Sequence, residues 1–209
     1  MKKSRFEVFW WNGGGGVLKR LKVNPVLRNV LDNQPEIFVY GESELSKSSG
    51  LFLEGYKFII HRSYLKLTDN YRRGMVIFFL EKYQHKISKV YASKKFDIVW
   101  LRLKLERGEV YFCFFYAPGA HLSEDIRLKF YEIFTVNFDK FVAKGNVVLL
   151  GDSNARLGEF LDDFNIHGKP ISNKNKPLFL GFLEYSGLTL LNKKYCLGVP
   201  TYKIINKKP

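Results

Sequence analysis

Polar residues stand at the ends of several strand-like runs of this 209-residue chain, beside tight turns. Asn12 closes the run Arg5–Trp11, and Glu42 follows Glu36–Gly41. Tyr116 opens Tyr-Ala-Pro-Gly, and Asp152 and Asn154 lie in Gly-Asp-Ser-Asn-Ala just after Asn146–Leu150. Asn192 ends a later run and Thr201 opens the last one. If these ends converge on one rim, a pair of carboxylates meets several amides and hydroxyls there. Such an oxygen donor set suits a hard cation, Mg²⁺ or Mn²⁺ in its place, with phosphate as a further ligand. The chemistry is metal-assisted hydrolysis of a phosphodiester: the cation offsets developing negative charge, and a carboxylate aligns or deprotonates the water. Taken singly, each residue also has a plainer role. An Asn after a strand is a common turn residue. Glu42 serves equally as a surface carboxylate, and Asp152-Ser153-Asn154 as an Asx-turn or helix cap. Tyr116 serves as packing and Thr201 as an ordinary strand residue. Only the ordered set is informative.

The elements that must position these residues follow from the apolar pattern. Strands are expected over 5–11, 36–41, 52–61, 74–83, 96–105 and 110–116, the last two joined at Arg107-Gly108-Glu109 as a hairpin. Four glycines, 13–16, break the first strand. Asn24-Pro25 starts a helix with Val26, Leu27, Val30 and Leu31 on its apolar face. Ser123–Ala143 is the clearest helix, with Glu124 and Asp125 in a first turn that favours acids. Asn146–Leu150 has the continuous apolar character of a strand buried on both faces. A helix over Pro177–Tyr185 and strands over Leu188–Leu191 and Thr201–Ile205 complete the order. Two sheets with helices outside, an α+β sandwich, accommodate it. His61 and His85 are expected at the surface, His121 and His167 in loops.

Lys and Arg number 34 against 20 Asp and Glu, a formal net charge of +14. The excess points to a polyanion, nucleic acid first and an anionic membrane surface second. With 46% hydrophobic and 16% aromatic residues, the chain is no disordered basic tail. Its length supports one good-sized core. No stretch is long and apolar enough for a membrane span, and Val8–Trp11 is too short for a signal-peptide core. Cys113 and Cys196 fit neither a metal spacing nor a disulfide framework, and Cys113 is expected as a small buried hydrophobe. A reducing intracellular setting, nuclear or cytoplasmic, is the expectation. The basic doublets Arg72-Arg73, Lys94-Lys95, Lys193-Lys194 and Lys207-Lys208 include candidates for contact with a phosphate backbone.

The ordered motifs resemble those of the endonuclease/exonuclease/phosphatase superfamily. Asn12, Glu42 in Tyr-Gly-Glu-Ser, Tyr116 in Tyr-Ala-Pro-Gly, Gly151-Asp152-Ser153-Asn154-Ala155 and Val199-Pro200-Thr201-Tyr202 look like its successive motifs. Asp-Ser-Asn-Ala-Arg is similar to the form found in endonuclease domains of LINE-type (non-LTR) retrotransposons. The resemblance implies a four-layered α/β sandwich over 1–209. It implies Glu42 as the main metal carboxylate with Asn12 beside the same Mg²⁺ or its waters. Asp152 would orient or activate water, and Asn154 would hold a phosphate oxygen. Tyr116 would hydrogen-bond near the scissile phosphate, and Thr201 would support the site. The implied partner is DNA, not a membrane, and the implied product is a nick whose 3′-hydroxyl primes reverse transcription.

The superfamily pattern continues past the Thr201 motif with Ser-x-Ile-Asp and a final Asp-His pair, which no residue up to Pro209 supplies. The expectation is therefore a C-terminally truncated domain lacking its last strands, either a fragment of a longer reading frame or a repurposed copy. Three functions stand: a metal-dependent DNA endonuclease, a weak or inactive nucleic-acid-binding remnant, and a phosphatase acting on phosphoinositides or small phosphate esters.

Overall fold

The computed structural model describes residues 6–14, 16–45, 50–62, 74–161, 164 and 167–195. They form two four-stranded mixed sheets with helices. In the first sheet β1 (Val8–Asn12) runs parallel to β2 (Ile37–Gly41). Next to β2 comes β4 (Met75–Leu80), antiparallel, and then β3 (Tyr56–His61) at the edge. The second sheet is a meander of β5 (Ile87–Ala92), β6 (Asp97–Leu105) and β7 (Gly108–Tyr116), to which β8 (Asn146–Asp152) adds in parallel.

The chain divides into two compact units. One comprises residues up to Ala117 with Glu132–Asp152, the other Pro118–Tyr131 with residues from Ser153 on. Both sheets belong to the first unit. Its central strands read as unbroken apolar runs because both faces are covered. Ile37, Val39, Met75 and Ile77 pack with Val99, Leu101, Phe112 and Phe114 of the second sheet. Their neighbours Phe38, Tyr40, Val76 and Phe78 face the other way, against Val17 of α1 (Val17–Val23) and Leu27 of α2 (Pro25–Asp32). Trp100 and Phe115, on the outer face of the second sheet, pack with ring centres 4.6 and 4.8 Å from those of Phe141 and Phe134 of α3 (Glu124–Val142). The order helix, sheet, sheet, helix is the expected four-layered sandwich. Asn24 caps α2 as expected, its Oδ1 accepting from the amides of Val26 and Leu27 at 3.0 and 3.2 Å.

The second unit holds α4 (Lys176–Ser186) and α5 (Leu191–Tyr195). α4 ends at Gly187, whose left-handed φ of 65° lets its amide reach back to Leu183. Lys193 of α5 sits 3.8 Å from the centre of the Phe160 ring.

Several elements differ from expectation. Leu188–Leu190 is irregular and the next residues are helical, so the strand expected over Leu188–Leu191 is absent. A four-residue apolar run cannot by itself distinguish a strand from the approach to a short helix. β8 is not buried on both faces: Asn146, Val148 and Gly151 are exposed. Among the described residues it pairs with β7 alone, and apolar continuity does not reveal an edge. β5 escapes the pattern because Lys89 interrupts its alternation and a bulge falls between Lys89 and Tyr91, both suited to an edge strand. Residues 81–83 form a 3₁₀ turn rather than the end of β4. The expected strand Thr201–Ile205 and Cys196 lie outside the described residues. No described helix is long and apolar enough to cross a membrane.

Gly151 is needed where β8 lies against β7. A Cβ there would stand 2.0 Å from the carbonyl oxygen of Phe115. Gly151→Ala must push the strands apart one residue before Asp152. It is expected to cost roughly 1–3 kcal/mol, read as a lower urea midpoint.

Candidate active site

Parallel pairing brings the C-terminal ends of β1 and β2 together, and likewise those of β7 and β8. Asn12 is the register partner of Gly41, the residue before Glu42. Tyr116 is the register partner of Asp152. Two side-chain hydrogen bonds then join one sheet to the other. Asn12 Nδ2 donates to Asp152 Oδ2 at 3.1 Å, and the Tyr116 hydroxyl donates to Glu42 Oε1. The four residues form a closed circuit of alternating strand pairing and hydrogen bonding within the first unit. The resemblance pairs Asn12 with Glu42 around one metal; the direct bond runs from Asn12 to Asp152.

Glu42 adopts φ of 52°, left-handed for a residue with a full side chain. Such a conformation costs about 1–2 kcal/mol and persists where surroundings over-determine it. Those surroundings are visible. The next residue, Ser43, donates its amide to Gly74 O at 3.0 Å, and the Gly74 amide donates to Asp97 Oδ2 at 3.2 Å. Just past the end of β1, Gly13 lies so close to Tyr40 that a Cβ would overlap its ring at 2.0 Å. Asp97, nearly fully buried, is also the register partner of Tyr116, so one carboxylate links the Glu42 turn to the strand carrying Tyr116.

His61 is buried rather than at the surface, with 6% exposure. It ends β3 opposite Met75, where packing of the two sheets covers it. Its Nε2 donates to Phe96 O at 3.0 Å and lies 3.6 Å from Asp97 Oδ1. Burial lowers the imidazole pKa below its ordinary value; the Asp97 charge and the Phe96 carbonyl oppose this less strongly, and Lys89 adds to it. With the folded value below the unfolded one of about 6.5, neutral His61 supports the fold above that pH. The support is lost as pH falls through the folded value. Wild-type Tm is expected to drop between about pH 7.5 and about pH 5.5. His61→Gln, which keeps a donor for Phe96, should drop less.

Asn154 belongs to the second unit and is also left-handed, with φ of 49°. Its carbonyl accepts from Asn173 Nδ2 at 2.9 Å and Asn175 Nδ2 at 3.0 Å. Thr201 lies outside the described residues, as do Arg72-Arg73 and Lys207-Lys208. Lys94 and Lys95 are exposed in the turn between β5 and β6, at the end of the second sheet where Tyr116 and Asp152 stand. His85, His121 and His167 lie in exposed turns as expected. Cys113 is buried, and burial pushes its thiol pKa well up, which removes it from nucleophilic chemistry. Asp97, His61, Asn173 and Asn175 escape the sequence reading. An aspartate opening the apolar run Asp-Ile-Val-Trp was the one signal for Asp97.

The donor set at the circuit is Glu42, Asp152, the Asn12 amide and the Tyr116 hydroxyl, all oxygen and amide groups without His or Cys. Among the described residues no group of three His, Cys, Asp or Glu gathers to hold a metal. One or two carboxylates, completed by water and substrate phosphate, suit Mg²⁺ and not a zinc site or an all-protein calcium cage. The residues present therefore fit Mg²⁺ chemistry.

Solved structures share this fold. The endonuclease domain of TRAS1, a telomere-specific non-LTR retrotransposon, matches with a TM-score of 0.59 and 12% identity, over 90% of this chain and 73% of that domain. The catalytic domain of Xenopus laevis APE2 matches with a TM-score of 0.52 and 16% identity, over 73% of this chain and 60% of that one. No protein-family pattern matches the chain, and no curated protein does. The likeness at these identities is one of fold.

Proposed function

We propose that this chain, which has the fold of the endonuclease/exonuclease/phosphatase superfamily, is a metal-dependent phosphodiester hydrolase that nicks DNA. The observation that carries this reading is the circuit of Asn12, Glu42, Tyr116 and Asp152 at one end of the two sheets. Glu42, with Asn12 beside it, would hold Mg²⁺, which when bound neutralises charge on the scissile phosphate. Asp152 aligns a water and takes its proton as the water oxygen bonds to phosphorus. The bond to the 3′-oxygen breaks, and that oxygen takes a proton from solvent to leave a 3′-hydroxyl. Asn12 orients the Asp152 carboxylate through its amide. Tyr116 fixes the Glu42 carboxylate in the same way. The family resemblance would give the side-chain amide of Asn154 the role of holding a phosphate oxygen as charge accumulates on it.

The test is relaxation of supercoiled plasmid in Mg²⁺ by wild type, Glu42→Ala and Asp152→Ala. Relaxation lost in both variants supports the nuclease. Salt-sensitive DNA binding without relaxation turns the reading to a binding remnant. Phosphate release from an inositol lipid without nicking turns it to a phosphatase.

The exposed Lys94-Lys95 turn supports DNA as the polyanion. Each phosphate contact contributes about 0.9 to the slope of log K against log salt. Lys94→Ala with Lys95→Ala is expected to lower that slope by about 1–2. Binding should weaken equally for unrelated DNA sequences, as read by fluorescence anisotropy.

A further inference from the structure

Among the described residues, two helices have asparagine at the N-cap position, and the two use it differently. Asn24 caps α2 with its Oδ1, the usual arrangement. Asn175 stands at the same position on α4, with φ of −84° and ψ of −18°, and its side chain makes no capping bond. It is 1% exposed. Its Nδ2 instead donates to Pro118 O at 2.8 Å and to Asn154 O at 3.0 Å. Its buried Oδ1 accepts from no group among the described residues. The amide orientation is forced, since reversing it would set an oxygen against two carbonyl oxygens. An unpaired buried acceptor is costly to a fold, and the capping bond an asparagine could make here is forgone as well. A residue kept under that cost is satisfying another requirement.

The two carbonyls identify the requirement. Pro118 comes two residues after Tyr116, and Asn154 two residues after Asp152. One buried amide thus grips the loop leaving β7 and the loop leaving β8. Asn173 reinforces it: Nδ2 donates to Asn154 O at 2.9 Å, while Oδ1 accepts from the amides of Arg156 at 3.2 Å and Asn175 at 3.1 Å. The segment bearing both asparagines is itself held, because buried Arg127 of α3 donates Nη1 to Lys174 O at 2.7 Å. Asn154 is thereby kept in its left-handed conformation by two amides on one carbonyl.

We infer that Asn175 is a positioning residue for phosphodiester hydrolysis, clamping the Pro118 and Asn154 loops together, with Asn173 as its second jaw. This rests on the nuclease reading for the role of Asn154, but the clamp has a readout of its own. Asn175→Asp keeps shape and removes both donors, replacing attraction by repulsion at two carbonyls. Asn175→Ser removes them without added charge. Phe182→Leu, a buried change elsewhere on α4, is the control for general destabilisation.

Plasmid nicking and backbone amide exchange are measured on the full chain for all four proteins. In both Asn175 variants kcat is expected to fall about 10- to 100-fold with KM little changed. Amide exchange at Gly119, Ala155 and Arg156 should accelerate. Phe182→Leu should lower Tm while leaving kcat and those three amides near wild type below its transition. Wild-type kcat in the Asn175 variants overturns the inference, as does a loss that Phe182→Leu reproduces at equal Tm. If the wild type itself does not nick, the nuclease reading fails, and exchange alone decides the clamp. Accelerated exchange confined to the two loops then upholds it, and unchanged exchange refutes it.

Discussion

Asp152→Asn is expected to lower the single-turnover rate of plasmid nicking about 10²- to 10⁴-fold, the span typical of losing a general base. The change is close to isosteric. The substituted amide still offers Asn12 Nδ2 an oxygen, and the backbone bond from Ala117 N to Asp152 O, at 2.8 Å, is untouched. Stability should therefore stay within about 0.5 kcal/mol of wild type. DNA binding should hold or tighten, because a negative charge beside the phosphates has gone. Rate and binding are thus expected to separate in one variant. A rate loss below tenfold would falsify the assignment of Asp152 to water activation.

Glu42→Asn is expected to abolish detectable nicking and yet to be more stable than Glu42→Ala. The activity arm follows from loss of the carboxylate that Tyr116 holds in place. The stability arm follows from the backbone. Glu42 has φ of 52°, and asparagine tolerates the left-handed region that costs other side chains about 1–2 kcal/mol. Alanine lacks that tolerance, so the two inactive variants should differ in urea midpoint, asparagine higher. Equal midpoints would mean that the Ser43–Gly74–Asp97 linkage, and not the conformation of residue 42, sets the energy of this turn. Raised Mg²⁺ is expected to restore nothing in either variant, since neither keeps the carboxylate proposed to hold the ion.

Local periodicity made much of the architecture legible. The runs Ile37–Gly41, 75–79, 98–101 and 111–115 are apolar enough to read as strands and are buried. Asn24-Pro25 and Ser123-Glu124-Asp125 announce their helices through cap chemistry acting over a few residues. β5, α1 and α5 were illegible for the converse reason: short, half-exposed segments with interleaved lysines take their conformation from what they pack on.

The site divides along the same line. Residue types and order nominated Asn12, Glu42, Tyr116, Asp152 and Asn154 together with Asn192 and Thr201, because each stands at the end of a strand-like run; Asn192 lies instead in the helix Leu191–Tyr195, and Thr201 is outside the described residues. Which of them meet was settled by tertiary structure. Asn12 reaches Asp152 across 140 positions and Tyr116 reaches Glu42 across 74. Neither separation carries a local signal, since both contacts arise from the parallel pairing of β1 with β2 and of β7 with β8 and from the stacking of one sheet on the other. The same stacking buried His61 against Asp97, although its sequence neighbours describe an exposed strand end. It is likewise only in the folded chain that Asn175, in a polar stretch that reads by sequence as an exposed loop, is buried and turns its amide away from its own helix toward two loops distant in the chain. Sequence specifies what each segment buries and where it stops; which polar groups then face one another is a property of the packed sheets and helices, because hydrogen bonds form only between groups that packing has already brought within about 3 Å.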